Sequence, residues 1–321
     1  MKSASEPFPT RHVAAIDPRP AEAAWLVEPL WARGGVGIVG GAPKACKTWL
    51  GCELALAVAS GRPALGRFAV KQPGPVLFYG AEDDQPSLRA RFDAIARARG
   101  ASLDDAQLFL LDVAELRLDR DDHVARLGGT IARLRPALVV LDPFVRLARI
   151  DENSAAEVSG VLGSLRALQR EHGTAVLLAH HMRKSSASHL GYQLRGSGDF
   201  AAWYDSALYL SRRGDDLALH VEHRAAPAPP PLRLRLATGD SPHLFVVDGG
   251  SAAPEPGAGG GDPLPAAVLE RLQVASRPIS TAELRDTLRV RKQTLTDTLV
   301  ALERDRLIAR HEGGWVATKQ A

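Results

Sequence analysis

Apolar and polar positions follow two rhythms along this chain, and the change from one to the other marks its elements. Uniformly apolar runs bounded by glycine, proline or charge occur at Gly35–Gly41, Pro75–Glu82, Gln107–Asp112, Ala137–Asp142 and Thr174–His181. Runs this short predict strands buried on both faces. Between them lie segments with helical spacing: Lys47–Ser60, stopped by Gly61 and Pro63; Gln85–Arg99, ending at Gly100; Asp121–Leu134; and roughly Ser154–His172. This alternation predicts an α/β fold, a mostly parallel sheet covered on both faces, with a site at the carboxyl ends of the strands. Ala207–Val247 reads as short β segments broken by the proline-rich turn Ala225–Pro231, an antiparallel extension of the sheet.

The rhythm fails at both ends of this core. Residues 1–24 are polar and proline-containing, which predicts a flexible arm, and the core then spans residues 25–248. Residues 249–262 (GGSAAPEPGAGGGD) have the composition of a flexible linker. Beyond it, residues 263–321 form a separate unit. Pro263–Ala275 is an amphipathic helix, Ser280–Leu288 opens with Ser280 and Glu283 at capping-box spacing, and Lys292–Asp305 is a third helix. Leu307–Arg310 and Trp315–Thr318 flank Glu312-Gly313-Gly314 as a hairpin. Three helices and a hairpin predict a small winged helix-turn-helix domain. No internal repeat is visible.

Composition narrows the classes. A chain of 321 residues suggests two domains, and 45% hydrophobic with 24% charged residues is ordinary for a globular protein. The net charge of +3 excludes whole-surface attraction to nucleic acid, so any such contact belongs to a local patch. The cysteines, Cys46 and Cys52, fall in one predicted helix start, which suits neither a disulfide framework nor a zinc site. The N-terminus lacks a basic-then-apolar signal pattern, and no apolar run reaches about 18 residues. A soluble, cytoplasmic protein without membrane contact is expected.

The first predicted strand runs into Gly41-Ala42-Pro43-Lys44-Ala45-Cys46-Lys47-Thr48, followed by Trp49. This is the phosphate-binding pattern G-x-x-x-x-G-K-[ST] with cysteine in place of the second glycine. Its backbone N–H groups and the first helical turn suit a polyphosphate. Lys47 is placed for the β- and γ-phosphates of ATP, and Thr48 for Mg²⁺. A Cβ at position 46 either narrows the loop or forces a costlier backbone angle. Asp142, ending an apolar run, has the place of the carboxylate that orders Mg²⁺; the alternative is a plain strand-end cap. Glu82, in Gly80-Ala81-Glu82-Asp83-Asp84, is a candidate catalytic carboxylate or one member of a solvated acidic loop. His180 and His181 end the next strand, where one can sense the γ-phosphate. The alternative is structural, and adjacent strand residues point to opposite faces, which argues against shared metal binding.

Together the phosphate loop, Phe78-Tyr79-Gly80-Ala81-Glu82-Asp83-Asp84, Val139–Leu147 with Asp151-Glu152-Asn153, Leu177–Lys184 and Arg195–Phe200 resemble the RepA-type branch of the RecA/DnaB ATPases over about residues 25–250. The resemblance implies a RecA-like P-loop NTPase core that hydrolyses ATP with Mg²⁺ and assembles into rings, usually hexamers, with ATP at subunit interfaces. It assigns Lys47 and Thr48 to phosphate and Mg²⁺, Asp142 to the metal, Glu82 to the base, and His180 or His181 to sensing. Besides Cys46, one position departs. The trans-acting Lys-x-Arg pair of ring motors is matched by Glu222-His223-Arg224, leaving Arg224 as a finger, with Arg195 or Arg212 as alternatives.

Two segments are candidates for DNA. Met182–Gly196 carries Arg183, Lys184, Tyr192 and Arg195; in ring ATPases such a loop tracks single-stranded DNA, and the alternative is a plain surface loop. In the tail unit Arg289, Arg291 and Lys292 precede or begin the third helix, as major-groove docking requires, although winged helices also bind proteins. The leading expectation is a DNA-associated, ring-forming ATPase or helicase. Against it stand a nucleotide-gated regulatory or scaffold ATPase with little turnover, favoured by Cys46 and Glu222, and a winged-helix transcription regulator with an ATPase receiver.

Overall fold

The structure, a computed structural model, describes residues 8–18, 20–182, 198–247, 263–275, 277–288, 292–304, 307–311 and 314–318. These divide into two compact units, one ending at Val247 and the other beginning at Pro263.

The first unit opens with a small antiparallel ribbon, β1 (Trp25–Val27) and β2 (Trp31–Ala32). The apolar runs follow as β3 (Val36–Gly41), β4 (Val76–Gly80), β5 (Leu108–Leu110), β6 (Leu138–Asp142) and β7 (Ala175–His181). The intervening helices are α1 (Lys47–Ser60), α2 (Gln85–Arg99), α3 (Asp121–Leu134) and α4 (Ala155–His172). A short helix α5 (Asp199–Trp203) leads into β8 (Ser206–Arg213), β9 (Asp216–His223), β10 (Leu232–Leu236) and β11 (Leu244–Val246). One sheet of 9 strands results, in the order β11-β10-β9-β8-β3-β7-β6-β4-β5.

Strands β8, β3, β7, β6, β4 and β5 are mutually parallel, and β9, β10 and β11 extend the sheet antiparallel. The antiparallel extension is therefore present but begins one strand later than the sequence suggests. Ser206–Arg213 is a core strand, pairing parallel with β3 through Gly41↔Leu210. Its apolar run alone does not reveal direction; α5, which returns the chain to the amino end of the sheet, decides it.

Two apolar layers hold the sheet. Leu50, Leu54 and Val58 of α1 and Phe92 and Ile95 of α2 pack on Phe78, Val140, Leu177 and Leu208. On the opposite face Leu127 and Ile131 of α3 and Leu162 and Leu165 of α4 meet Ile38, Val139, Leu141 and Leu178. Each such fully buried side chain contributes about 2 kcal/mol of transfer free energy. One charge lies in the first layer. Glu53 is 1% exposed and takes a forked pair from Arg99, at 3.1 and 3.0 Å, and the Leu244 N–H at 3.0 Å. Burial pushes its carboxyl up and Arg99 pulls it back down, so α1, α2 and β11 are tied by one compensated charge.

The second unit has helices α6 (Pro263–Val274), α7 (Thr281–Leu288) and α8 (Lys292–Arg304), then an antiparallel pair, β12 (Ile308–His311) and β13 (Gly314–Ala317). Val268, Leu284, Leu295, Leu299, Ile308 and Trp315 form its core. Ser280 Oγ accepts the Glu283 N–H at 3.2 Å, one half of the expected capping box; the Glu283 carboxylate pairs with Arg277 at 2.9 Å. Among the described residues no helix is long and apolar enough to cross a membrane.

Candidate phosphate-binding site

β3 delivers the phosphate loop and α1 receives it. Gly41 must lack a side chain, because a Cβ there would lie 2.9 Å from the Leu210 carbonyl oxygen and 3.2 Å from the Ala45 Cβ. Ala42, Pro43 and Lys44 are exposed, whereas Ala45 is buried. Lys44 and Cys46 adopt positive φ, 65° and 63°. Of the two consequences expected for Cys46, the loop takes the second: a left-handed backbone at a side-chain-bearing residue, which costs about 1–2 kcal/mol. Cys46 is also the N-cap of α1, its carbonyl accepting the Leu50 N–H at 3.0 Å. The amides of Lys47, Thr48 and Trp49 thus form the first helical turn, whose N–H groups have no intrahelical acceptor and suit an anion.

The loop opens on a cavity of 490 Å³ lined from six strand ends, Leu236 of β10 among them. After β3 come Lys47 and Thr48; after β4, Glu82 and Asp83; from β6, Asp142; from β7, His181; from β8, Arg212. Lys47 is buried, and its Nζ donates to the Gly41 and Ala42 carbonyls at 3.0 Å each and lies 3.3 Å from His181 Nδ1. Burial lowers its pKa, an effect opposed by Asp142 and then Glu82. Asp142 is buried, which raises its carboxyl, while the Thr48 hydroxyl donates to it and Lys47 attracts its charge.

The two histidines separate as strand geometry requires. His181 faces the cavity. His180 is 1% exposed in the opposite layer, stacked on Phe200 at 4.2 Å and edge-on to Phe144 at 5.5 Å. Glu82 is brought to the cavity rim, where its Oε1 accepts from Arg146 Nε at 2.9 Å.

Arg224 lies elsewhere. It follows β9, beside the amino end of β8, and Arg224 Nε donates to the Tyr204 carbonyl at 3.2 Å, with Nη2 on the Ala202 carbonyl. It lines a second cavity of 380 Å³ with Asp205, His223, Gln169 and Trp25. Eight residues of β8 separate the two ends, roughly 25 Å of extended chain, so Arg224 is out of reach of its own phosphate loop. Glu222 accepts from the Tyr204 hydroxyl at 2.6 Å, again on the far side of the sheet from the cavity. Arg183, Lys184, Tyr192, Arg195, Arg289 and Arg291 lie outside the described residues; Lys292 begins α8.

Two contributors escaped the sequence reading. Arg91 lines the cavity, pairs with Asp83 at 2.7 Å and holds its guanidinium 5.0 Å from the Trp49 ring centroid. A signal existed: Arg91 falls on the stripe of α2 that carries Leu88 and Ile95, a charged residue in an inward row. Arg146 carries no such signal, since only the fold brings it to Glu82.

No ion site is built from protein groups alone: among the described residues no cluster of three or more His, Cys, Asp or Glu side chains could hold a metal. A buried carboxylate hydrogen-bonded to a hydroxyl beside a phosphate loop is instead the oxygen donor set that Mg²⁺ uses when phosphates and water complete its shell.

A parallel sheet with a phosphate loop after β3, acidic residues just after β4 and one ending β6 defines a RecA/DnaB-type P-loop fold. The chain belongs to the AAA domain family, whose model matches residues 3–187. Its fold is similar to that of the RadB recombinase, with a TM-score of 0.50 and 19% identity over 67% of this chain and 92% of that one. It is likewise similar to a DnaB-like replicative helicase solved for its interactions with primase, with a TM-score of 0.51 and 14% identity. That match covers 66% of this chain and 57% of the helicase. No curated protein matches the sequence.

Proposed function

We propose that this chain is an ATP-hydrolysing member of the RepA-like group that acts on DNA as a ring, with its C-terminal unit a winged helix docking on duplex DNA or a partner. One observation carries the catalytic part: Lys47, Thr48, Asp142, His181 and Glu82 face a single cavity at the carboxyl ends of the parallel strands. In this reading the loop amides and Lys47 bind the β- and γ-phosphates. Thr48 and Asp142 would hold Mg²⁺, which when bound would neutralise charge on the phosphates. Glu82 orients a water and takes its proton as the water oxygen bonds to the γ-phosphorus. The bond from that phosphorus to the bridging oxygen breaks, its electron pair stays on ADP, and phosphate leaves. His181, 3.3 Å from Lys47, would register that loss and pass it to the segment of Arg183, Lys184, Tyr192 and Arg195, which would line the DNA channel.

The names of the two similar structures, a recombinase and a replicative helicase, support a DNA substrate. A second reading, an assembly switch with little turnover, is favoured by the Glu82–Arg146 ion pair and the strained Cys46. Steady-state ATP hydrolysis with and without single- and double-stranded DNA, paired with light scattering, separates them. Several-fold stimulation by DNA in an oligomer is expected. ATP-dependent oligomers without turnover in any condition would discard the motor and leave the switch.

A further inference from the structure

We infer that Arg212 is a γ-phosphate-binding residue acting in cis, so that each protomer carries its own arginine at the phosphate site. This rests on the nucleotide reading above and assigns it a residue outside the phosphate-loop motif.

Position comes first. β8 runs parallel to β3 and pairs Leu210 with Gly41, the residue that opens the phosphate loop. Alternate residues of a strand share a face, and Leu208 and Leu210 point into the layer of α1. Arg212 continues that row beyond the end of β3, on the side where the loop turns into α1. Its Nη1 donates to the Lys44 carbonyl of the loop at 3.2 Å and its Nε to the Gly214 carbonyl at 2.9 Å. The guanidinium therefore bridges the β8–β9 turn and the rim of the cavity it lines.

Charge comes second. Of the acidic groups at the cavity, Asp83 is paired with Arg91 at 2.7 Å and Glu82 with Arg146 at 2.9 Å. Arg212 is held by backbone carbonyls, and among the described residues it forms no ion pair with a carboxylate. The positive charge left facing the cavity after these pairings sits on Lys44, Lys47 and Arg212, against Asp142. An excess of cations around a loop of free amides fits a triphosphate. A planar guanidinium at the rim suits its terminal group, where charge develops as the bridging bond breaks. Arg224, at the other end of its strand pair, cannot make this contact within its own subunit.

The test compares ATP and ADP binding to the full chain and to Arg212→Gln, using fluorescent analogues of both nucleotides with Mg²⁺. A residue that touches only the γ-phosphate lowers ATP affinity about tenfold and leaves ADP affinity nearly unchanged. Where turnover is measurable, kcat falls about a hundredfold. Equal weakening of both nucleotides would make Arg212 a prop for Lys44 and overturn the inference, as would no change in either. Wild-type protein that binds neither nucleotide would overturn the nucleotide reading itself, a distinct outcome. The origin of the contact is settled by adding excess Lys47→Ala subunits, which keep Arg212 but carry a damaged loop. The ATP preference of Arg212→Gln should stay lost; its recovery would show that Arg212 serves a neighbour's site.

Discussion

The two ends of one parallel sheet carry much the same residue types and use them in opposite ways. At the carboxyl end Lys47, Asp142 and Arg212 stand around a 490 Å³ cavity, on a loop with two left-handed residues. At the amino end Arg166 grips Asp205 at 2.5 Å and donates to the Trp203 carbonyl, Asp205 also accepts the Val36 N–H at 3.1 Å, and Arg224 holds backbone carbonyls. There each of these polar groups ties one element to another. Arginine by itself therefore says little about a site; what matters is whether its partners complete the fold or leave charge facing space.

The largest expected effect that sharpens this contrast is at the amino end. Asp205→Ala removes the carboxylate shared by Arg166 and Val36, and should cost about 2–3 kcal/mol of stability, read from denaturant midpoints, because a half-buried guanidinium loses its partner. Nucleotide affinity should be unchanged. A marked loss of affinity at unaltered stability would break the division between the two ends.

Cys46→Gly acts at the carboxyl end and in the opposite sense. It relieves a left-handed backbone at φ 63° and should stabilise the chain by about 1 kcal/mol, seen as a higher Tm. Unchanged or lower stability would mean that the cysteine side chain contributes packing as large as the strain.

The smallest effect concerns pH. His223 bridges Ser206, with Nδ1 3.1 Å from the hydroxyl, and the Pro29 carbonyl, 2.8 Å from Nε2. Burial depresses its pKa below the ordinary value of 6.5, with the Pro29 bond opposing. Between that lowered value and 6.5 the unfolded chain binds the proton that the folded one refuses, so stability falls as pH drops through this window. His223→Gln should flatten that part of the Tm-against-pH curve relative to wild type. Parallel curves would remove His223 as the cause.

Much of the fold could be read directly from spacing. α1, α2 and α3 fall on the spans that periodicity predicts, because glycine caps and apolar stripes are local signals. The parallel direction of β8 was not legible, since strand direction depends on how the chain returns across the sheet. In the site, Lys47, Thr48 and Asp142 were visible through their motifs. Which histidine faces the cavity followed only from the phase of β7, and Arg146 reaches Glu82 only through tertiary placement. Arg224, expected to act on a neighbouring subunit, lies away from its own phosphate loop, and motif spacing carries no information about which end of a strand pair a residue occupies.

The left-handed backbone at Cys46 has a genetic side. A position at φ 63° accepts glycine freely and asparagine or aspartate next, and resists valine, isoleucine and threonine, whose branched Cβ clashes there. Cysteine and glycine codons differ by a single first-position base. The chain therefore sits one point mutation from relieving the strain at position 46, while Lys44 stays left-handed; four of the other eight single-base changes lead to the bulkier arginine, phenylalanine, tyrosine or tryptophan.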